Sequence, residues 1–142
     1  MLNPRKTVSL LGIAFTLLLA GCASETGGGG HAGHSVDMSM EPIKVELDWS
    51  PAEVTVSSPV TFEATVTQEG KPVDDAREVL FEIVNKEGKT EKMELKGSSA
   101  GDGKYTAEGT FAEEGLYNVT SHVTARTQHS MPSKELSVKP LP

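Results

Sequence analysis

The sequence predicts an all-β fold of about seven to eight short strands packed as a two-sheet sandwich. Two observations carry this reading. After Met40 the chain breaks into short runs rich in Val, Ile, Thr, Tyr, Phe and Trp, each closed by Gly, Pro, Asp or Ser, and regularly punctuated runs of this kind suit a sandwich better than an α/β plan. Within the runs, apolar and polar residues alternate with a period of two, the pattern of strands with one buried and one wet face.

The elements follow in order. Ile43 to Trp49 is the first strand, closed by Ser50-Pro51, and Glu53 to Ser57 is the second, closed by Ser58-Pro59. Val60 to Thr67 alternates without a break: Val60, Phe62, Ala64 and Val66 share one face, and Thr61, Glu63, Thr65 and Thr67 the other. Gly70-Lys71-Pro72 ends that region. Val79 to Lys86 and Thr90 to Leu95 flank Glu87-Gly88, and Tyr105 to Phe111 follows the Gly101-Asp102-Gly103 turn. Leu116 to Ala125 places Tyr117, Val119, Val123 and Ala125 on one face, which turns His122 away from the core. Lys134 to Lys139 is the last strand. The Gly115-Leu116-Tyr117-Asn118-Val119 segment is similar to the tyrosine corner of immunoglobulin-like sandwiches, so Tyr117 is expected to be structural, its phenol bonding back to the preceding turn.

Ahead of this domain, assigned to residues 42–142, lie two segments without a core. Residues 1–21 read as a secretory signal: Arg5 and Lys6 supply positive charge, and Val8 to Ala20 is uncharged and apolar but short for a bilayer span. The run Leu19-Ala20-Gly21-Cys22 resembles a bacterial lipobox, which implies cleavage before Cys22 and lipidation of its thiol. Two or more acyl chains hold a protein stably on a membrane, so the expected location is extracytoplasmic and lipid-anchored. Residues 22–41 form a Gly-rich tether, which as a coil of about 20 residues spans roughly 25 Å.

Cys22 is the sole cysteine, which excludes an internal disulfide and, once lipidated, a thiolate metal site. Loss of Arg5 and Lys6, with no acid, takes the formal charge from −7 to −9. An acidic chain disfavours nucleic acid as a partner and suits solubility and cation attraction. No Ser/His/Asp spacing names a triad and no Gly-rich loop suits phosphate, so no enzyme is expected.

The chemistry-bearing residues are histidines and methionines. His31, His34, Met38 and Met40 fall in the tether, His122 in a strand, and His129 and Met131 between the last two strands. Thioether sulfur is a poor ligand for Zn²⁺ and a good one for Cu(I), while imidazole serves either copper oxidation state, so mixed His/Met sets point to copper, Cu(I) or Cu(II). One His-x-Met arises by chance at roughly 0.1 per chain of this composition, so the motif needs context. Pro132 biases Met131 toward an extended conformation, in which residues two apart project to the same side. His129 and Met131 are thereby expected to aim at one ion from a loop. In a simple hairpin His122 would lie about 13 Å from the base of that loop, and joining the site would take a bulge or a loop folded back over the polar face. Met93 alternates with Leu95 and reads as core or as a weaker ligand. The tether donors would lose ordering entropy on binding, which suits an auxiliary role in metal entry or exchange.

Three segments, Gly101 to Tyr105, Phe111 to Val119 and His122-Val123-Thr124-Ala125-Arg126-Thr127-Gln128-His129-Ser130-Met131-Pro132, resemble the YtkA-like domain, a group related to FixH-like proteins. The resemblance spans roughly Ile43 to Val138. It implies a small immunoglobulin-like lipoprotein domain concerned with copper handling and respiratory-oxidase maturation. Carried over by residue, it implies His122, His129 and Met131 as metal ligands, with Met93 a weaker correspondent. A further histidine expected in some members at the Gly97-Ser98-Ser99-Ala100 turn is replaced here, which leaves the coordination number open. The expected function is a membrane-anchored copper-binding lipoprotein that holds copper or exchanges it with an envelope partner. The alternative is a non-catalytic, adhesion-like interaction module with no metal role.

Overall fold

The computed structural model describes residues 41–142, and those residues are an all-β, immunoglobulin-like sandwich. Cys22, His31, His34, Met38 and Met40 lie outside the described residues. The strands are β1 (Lys44–Ser50), β2 (Val54–Thr55), β3 (Val60–Gln68), β4 (Lys71–Pro72), β5 (Ala76–Asn85), β6 (Met93–Lys96), β7 (Ser98–Gly101), β8 (Lys104–Gly109), β9 (Gly115–Ala125), β10 (Gln128–Ser130) and β11 (Ser133–Lys139). One sheet has the order β1-β3-β8-β7, with β4 against β3. The other runs β2-β11-β9-β5-β6, with β10 against β9.

Alternation explains the two layers. Phe62, Ala64 and Val66 of β3 are fully buried, as are Phe81 of β5 and Val119 and Val123 of β9. Phe62 and Phe81 meet across the sheets with ring centroids 5.9 Å apart, and Phe62 also meets Phe111 edge-on at 6.3 Å. Phe111 in turn contacts Tyr117 at 4.7 Å. Aromatic pairs at these separations add to the stabilisation from area burial. The expected tyrosine corner is present, with the Tyr117 hydroxyl donating to Glu113 O at 2.8 Å.

The structure departs from the expected elements in three places. The second expected strand shrinks to Val54–Thr55, because a turn closed by Ser58 N–H to Thr55 O follows at once. The region expected to turn at Gly97 to Ala100 instead crosses between layers, since β6 belongs to one sheet and β7 to the other. Gly97 permits the crossing: its N–H donates to Val79 O at 2.8 Å, and a Cβ there would stand 2.9 Å from Val79 Cγ1. The segment around His129, expected as a loop, is strand β10. Residues 125 and 128 pair directly, so only Arg126 and Thr127 make the turn. Arg126 adopts a φ of +57° and is held by Gln68 Oε1 and by Asp75, the latter at 3.6 Å.

Tyr105 on β8 holds the connection that runs from β4 in its own sheet to β5 in the other. Its hydroxyl donates to Val73 O at 2.9 Å and accepts from Ala76 N–H at 3.1 Å. Burial disfavours the phenolate and raises the Tyr105 pKa above the ordinary tyrosine value, outweighing the Ala76 hydrogen bond that lowers it. A group with a raised folded-state pKa contributes its full stability below the unfolded value, about 10, and loses it as pH climbs through the folded value. Tyr105→Phe is therefore expected to lower unfolding free energy by about 1–3 kcal/mol at neutral pH. It should also flatten the alkaline decline in stability, as read from urea midpoints between neutral pH and the alkaline limb.

Candidate metal centre on the outer face of β9

The same alternation that seals Val119, Val123 and Ala125 inside turns His122 outward, where its side chain is 27% exposed. Its register partner on β5 is Leu80, and Glu82, opposite Thr120, is the diagonal neighbour. Nε2 of His122 stands 3.8 Å from Glu82 Oε1. That nitrogen is buried and has no hydrogen-bond partner, a condition that polar atoms in folded proteins rarely keep. The second carboxylate oxygen of Glu82 accepts from Lys92 Nζ at 3.3 Å.

On the other edge of β9, strand β10 brings His129 opposite Thr124. His129 Nδ1 and Thr124 Oγ1 are 2.8 Å apart. The ring centroids of His122 and His129 are 6.1 Å apart with the planes at 43°. The 13 Å separation expected of a simple hairpin is thus replaced, because the chain folds back along β9 and extends the ladder. Gln128 reinforces this arrangement: its Oε1 accepts from Ile43 N–H at 2.6 Å and its Nε2 donates to Glu41 O at 2.9 Å.

Met131 follows β10 directly. Ser130 pairs with Val123 and Ser121 N–H donates to Pro132 O at 3.0 Å, which brackets Met131 at the level of His122 along the strand. It is 56% exposed. The pairs on either side, Ser130 with Val123 and Ser133 with Thr120, keep one register across this gap. Met93 is elsewhere. It pairs with Ile83 and packs against the core, and its sulfur would lie 3.4 Å from a Cβ placed on Gly109 of the opposite sheet. The structure therefore brings His122 and His129 together, sets Met131 at the level of His122, and leaves Met93 between the layers.

Glu82 and Thr124 are neighbours that sequence reasoning missed. Alternation in Val79 to Lys86 and Leu116 to Ala125 places both on outward faces, but their proximity to particular histidines depends on cross-strand register.

The ring spacing sets a condition on sharing one ion. With a metal–imidazole bond of about 2.0 Å and a ring nitrogen about 1.1 Å from the centroid, an ion lies about 3 Å from each ring centre. One ion between centroids 6.1 Å apart would need a nitrogen of each ring turned almost along the line that joins them. Among the described residues no group of three His, Cys, Asp or Glu side chains is placed to hold an ion. Met131 adds a thioether at the level of His122, and Glu82 a carboxylate 3.8 Å from that ring.

Fold and site together define a small, mostly antiparallel sandwich carrying an imidazole pair on the outer face of one sheet. The YtkA-like family model matches residues 37–122, more than half of the chain, and the chain belongs to the YtkA-like family. The match ends at His122, so His129 and Met131 lie beyond it. No curated protein matches the chain. Among solved structures, an engineered protein aligns with a TM-score of 0.49 at 23% identity, over 68% of this chain and 20% of its own. A DUF4785 family protein from Legionella pneumophila aligns at 0.49 with 8% identity, over 72% and 29%. The PmoD soluble domain from a Methylocystis species aligns at 0.45 with 14% identity, over 70% and 93%. The chain thus spans less than a third of the length of the first two.

The inward placement of Met93 leads to a stability effect without a binding effect. Met93→Leu, which nearly conserves volume, should cost under about 1.5 kcal/mol, and Met93→Ala about 2 kcal/mol or more, by chemical denaturation. Cu(I) affinity in a chelator competition should be the same in Met93→Leu and the unsubstituted chain.

Proposed function

We propose that this protein is a copper-binding lipoprotein, anchored through Cys22 outside the cytoplasmic membrane, that takes up copper and passes it to an envelope partner. The observation that carries the reading is the return of β10 along β9, which sets His129 beside His122 with 6.1 Å between ring centres. Exposed Met131 follows at the level of His122. A site on an open sheet edge, with few ligands and a soft donor at the surface, suits exchange better than permanent storage. The resemblance to copper-handling YtkA-like and FixH-like domains supports the same cargo and favours respiratory-oxidase maturation as its destination. His31, His34, Met38 and Met40 serve in this reading as an auxiliary arm that feeds the edge.

Cu(I) titration of the chain from residue 22, carrying Cys22→Ser, in competition with a chromophoric chelator tests the assignment. Binding tighter than about micromolar, weakened at least tenfold by His129→Ala/Met131→Ala, is the expected result. Weaker binding in the parent, or equal binding by parent and double variant, would sink the copper reading at this edge. Replacing His31, His34, Met38 and Met40 together should weaken binding less than the double variant does.

Anchoring is tested separately in cells. The unsubstituted chain should incorporate labelled palmitate and sediment with membranes, whereas Cys22→Ala should do neither. Equal labelling of the two forms would remove Cys22 as the lipid site.

A further inference from the structure

The two histidines do not present their ring nitrogens equivalently. One nitrogen of each lies beside a different neighbour. His129 Nδ1 meets the Thr124 hydroxyl at 2.8 Å, which leaves Nε2 as the nitrogen outside that contact. In His122 it is Nε2 that is buried, unpartnered and 3.8 Å from Glu82 Oε1, which leaves Nδ1. Lys92 holds the other oxygen of Glu82 at 3.3 Å and so steadies the carboxylate beside the ring.

Resting on the copper assignment above, we infer that Thr124 and Glu82 are positioning residues that select which nitrogens meet the ion, Nε2 of His129 and Nδ1 of His122. The chemistry follows from proton accounting on a neutral ring, where one nitrogen carries hydrogen and only the other has a lone pair for a metal. A carboxylate accepts and cannot donate, so Glu82 favours hydrogen on His122 Nε2 and a free pair on Nδ1. A threonine hydroxyl accepts as well as donates, so it holds the Nδ1–H of His129 once Nε2 has turned to the ion. Partners of this kind on the far nitrogen orient metal-bound histidines and raise their basicity. The 3.8 Å between Glu82 Oε1 and His122 Nε2 exceeds hydrogen-bond length, and Glu82 acts as proposed only once the two atoms come within it.

Long-range proton–nitrogen correlation spectra of histidine-labelled protein read the nitrogens directly. The chain from residue 22 with Cys22→Ser is used without metal and with Cu(I), which is diamagnetic. Metal-free His122 should show the Nε2–H tautomer, and Glu82→Leu should shift it toward a mixture while Glu82→Gln, which keeps an acceptor oxygen, restores it. On Cu(I) addition the resonances of His129 Nε2 and His122 Nδ1 should move. Thr124→Val should lower Cu(I) affinity by about tenfold or more, with recovery in Thr124→Ser. Movement of the opposite nitrogens, or unchanged tautomers and affinity in Glu82→Leu and Thr124→Val, would overturn the inference while leaving the copper assignment standing. If neither ring responds to Cu(I), both fall together.

Discussion

Strand β9 packs Tyr117, Val119, Val123 and Ala125 against the opposite sheet, and because successive side chains alternate, that burial turns Thr120, His122 and Thr124 outward. A slip of one residue would expose the whole inner set. Burying large apolar side chains is worth about 1.5–3 kcal/mol each, while a ladder hydrogen bond nets about 1 kcal/mol. Packing, not the ladder, therefore sets the register. β9 pairs with β5 on one side and with β10 and β11 on the other, so its register places the neighbours of His122 on both flanks.

The β9–β10 hairpin converts that constraint into a site. A turn of two residues carries little loop entropy and returns the chain directly onto the β9 edge. Gln128 then ties β10 to the start of β1 through Ile43 and Glu41, and Arg126 is held by Gln68 and Asp75. His129 consequently stands on an anchored strand, and the imidazole pair is displayed by a surface whose other side is the hydrophobic core. For the metal transfer proposed above, such support matters because ligands held in place bind without a large ordering cost, while an open edge would leave room for a second protein.

Particular residues show how far local pattern carried the fold. The β3 face of Val60, Phe62, Ala64 and Val66, the tyrosine corner at Tyr117 and the outward face of His122 were all legible, since each follows from a side-chain period of two or from turn chemistry within a few residues. The sheet crossing at Gly97 was hidden, because a glycine there looks like an ordinary turn until Val79 is known to press against it. β10 was hidden for a related reason. Its three residues hold no alternating apolar signal, and the edge that makes them a strand belongs to β9.

By itself the sequence determined the two-layer β architecture, the donor chemistry of His122, His129 and Met131, and the side of the sheet on which His122 stands. Those properties depend on residue type and on alternation, both local. Tertiary structure alone decided which donors meet. Glu82 reaches His122 across 40 residues of chain, Thr124 reaches His129 only after β10 folds back, and Met93, despite its sulfur, faces Gly109 inside the sandwich. Cross-strand neighbours are set by register between distant segments, and that register is chosen by the packing of the whole core.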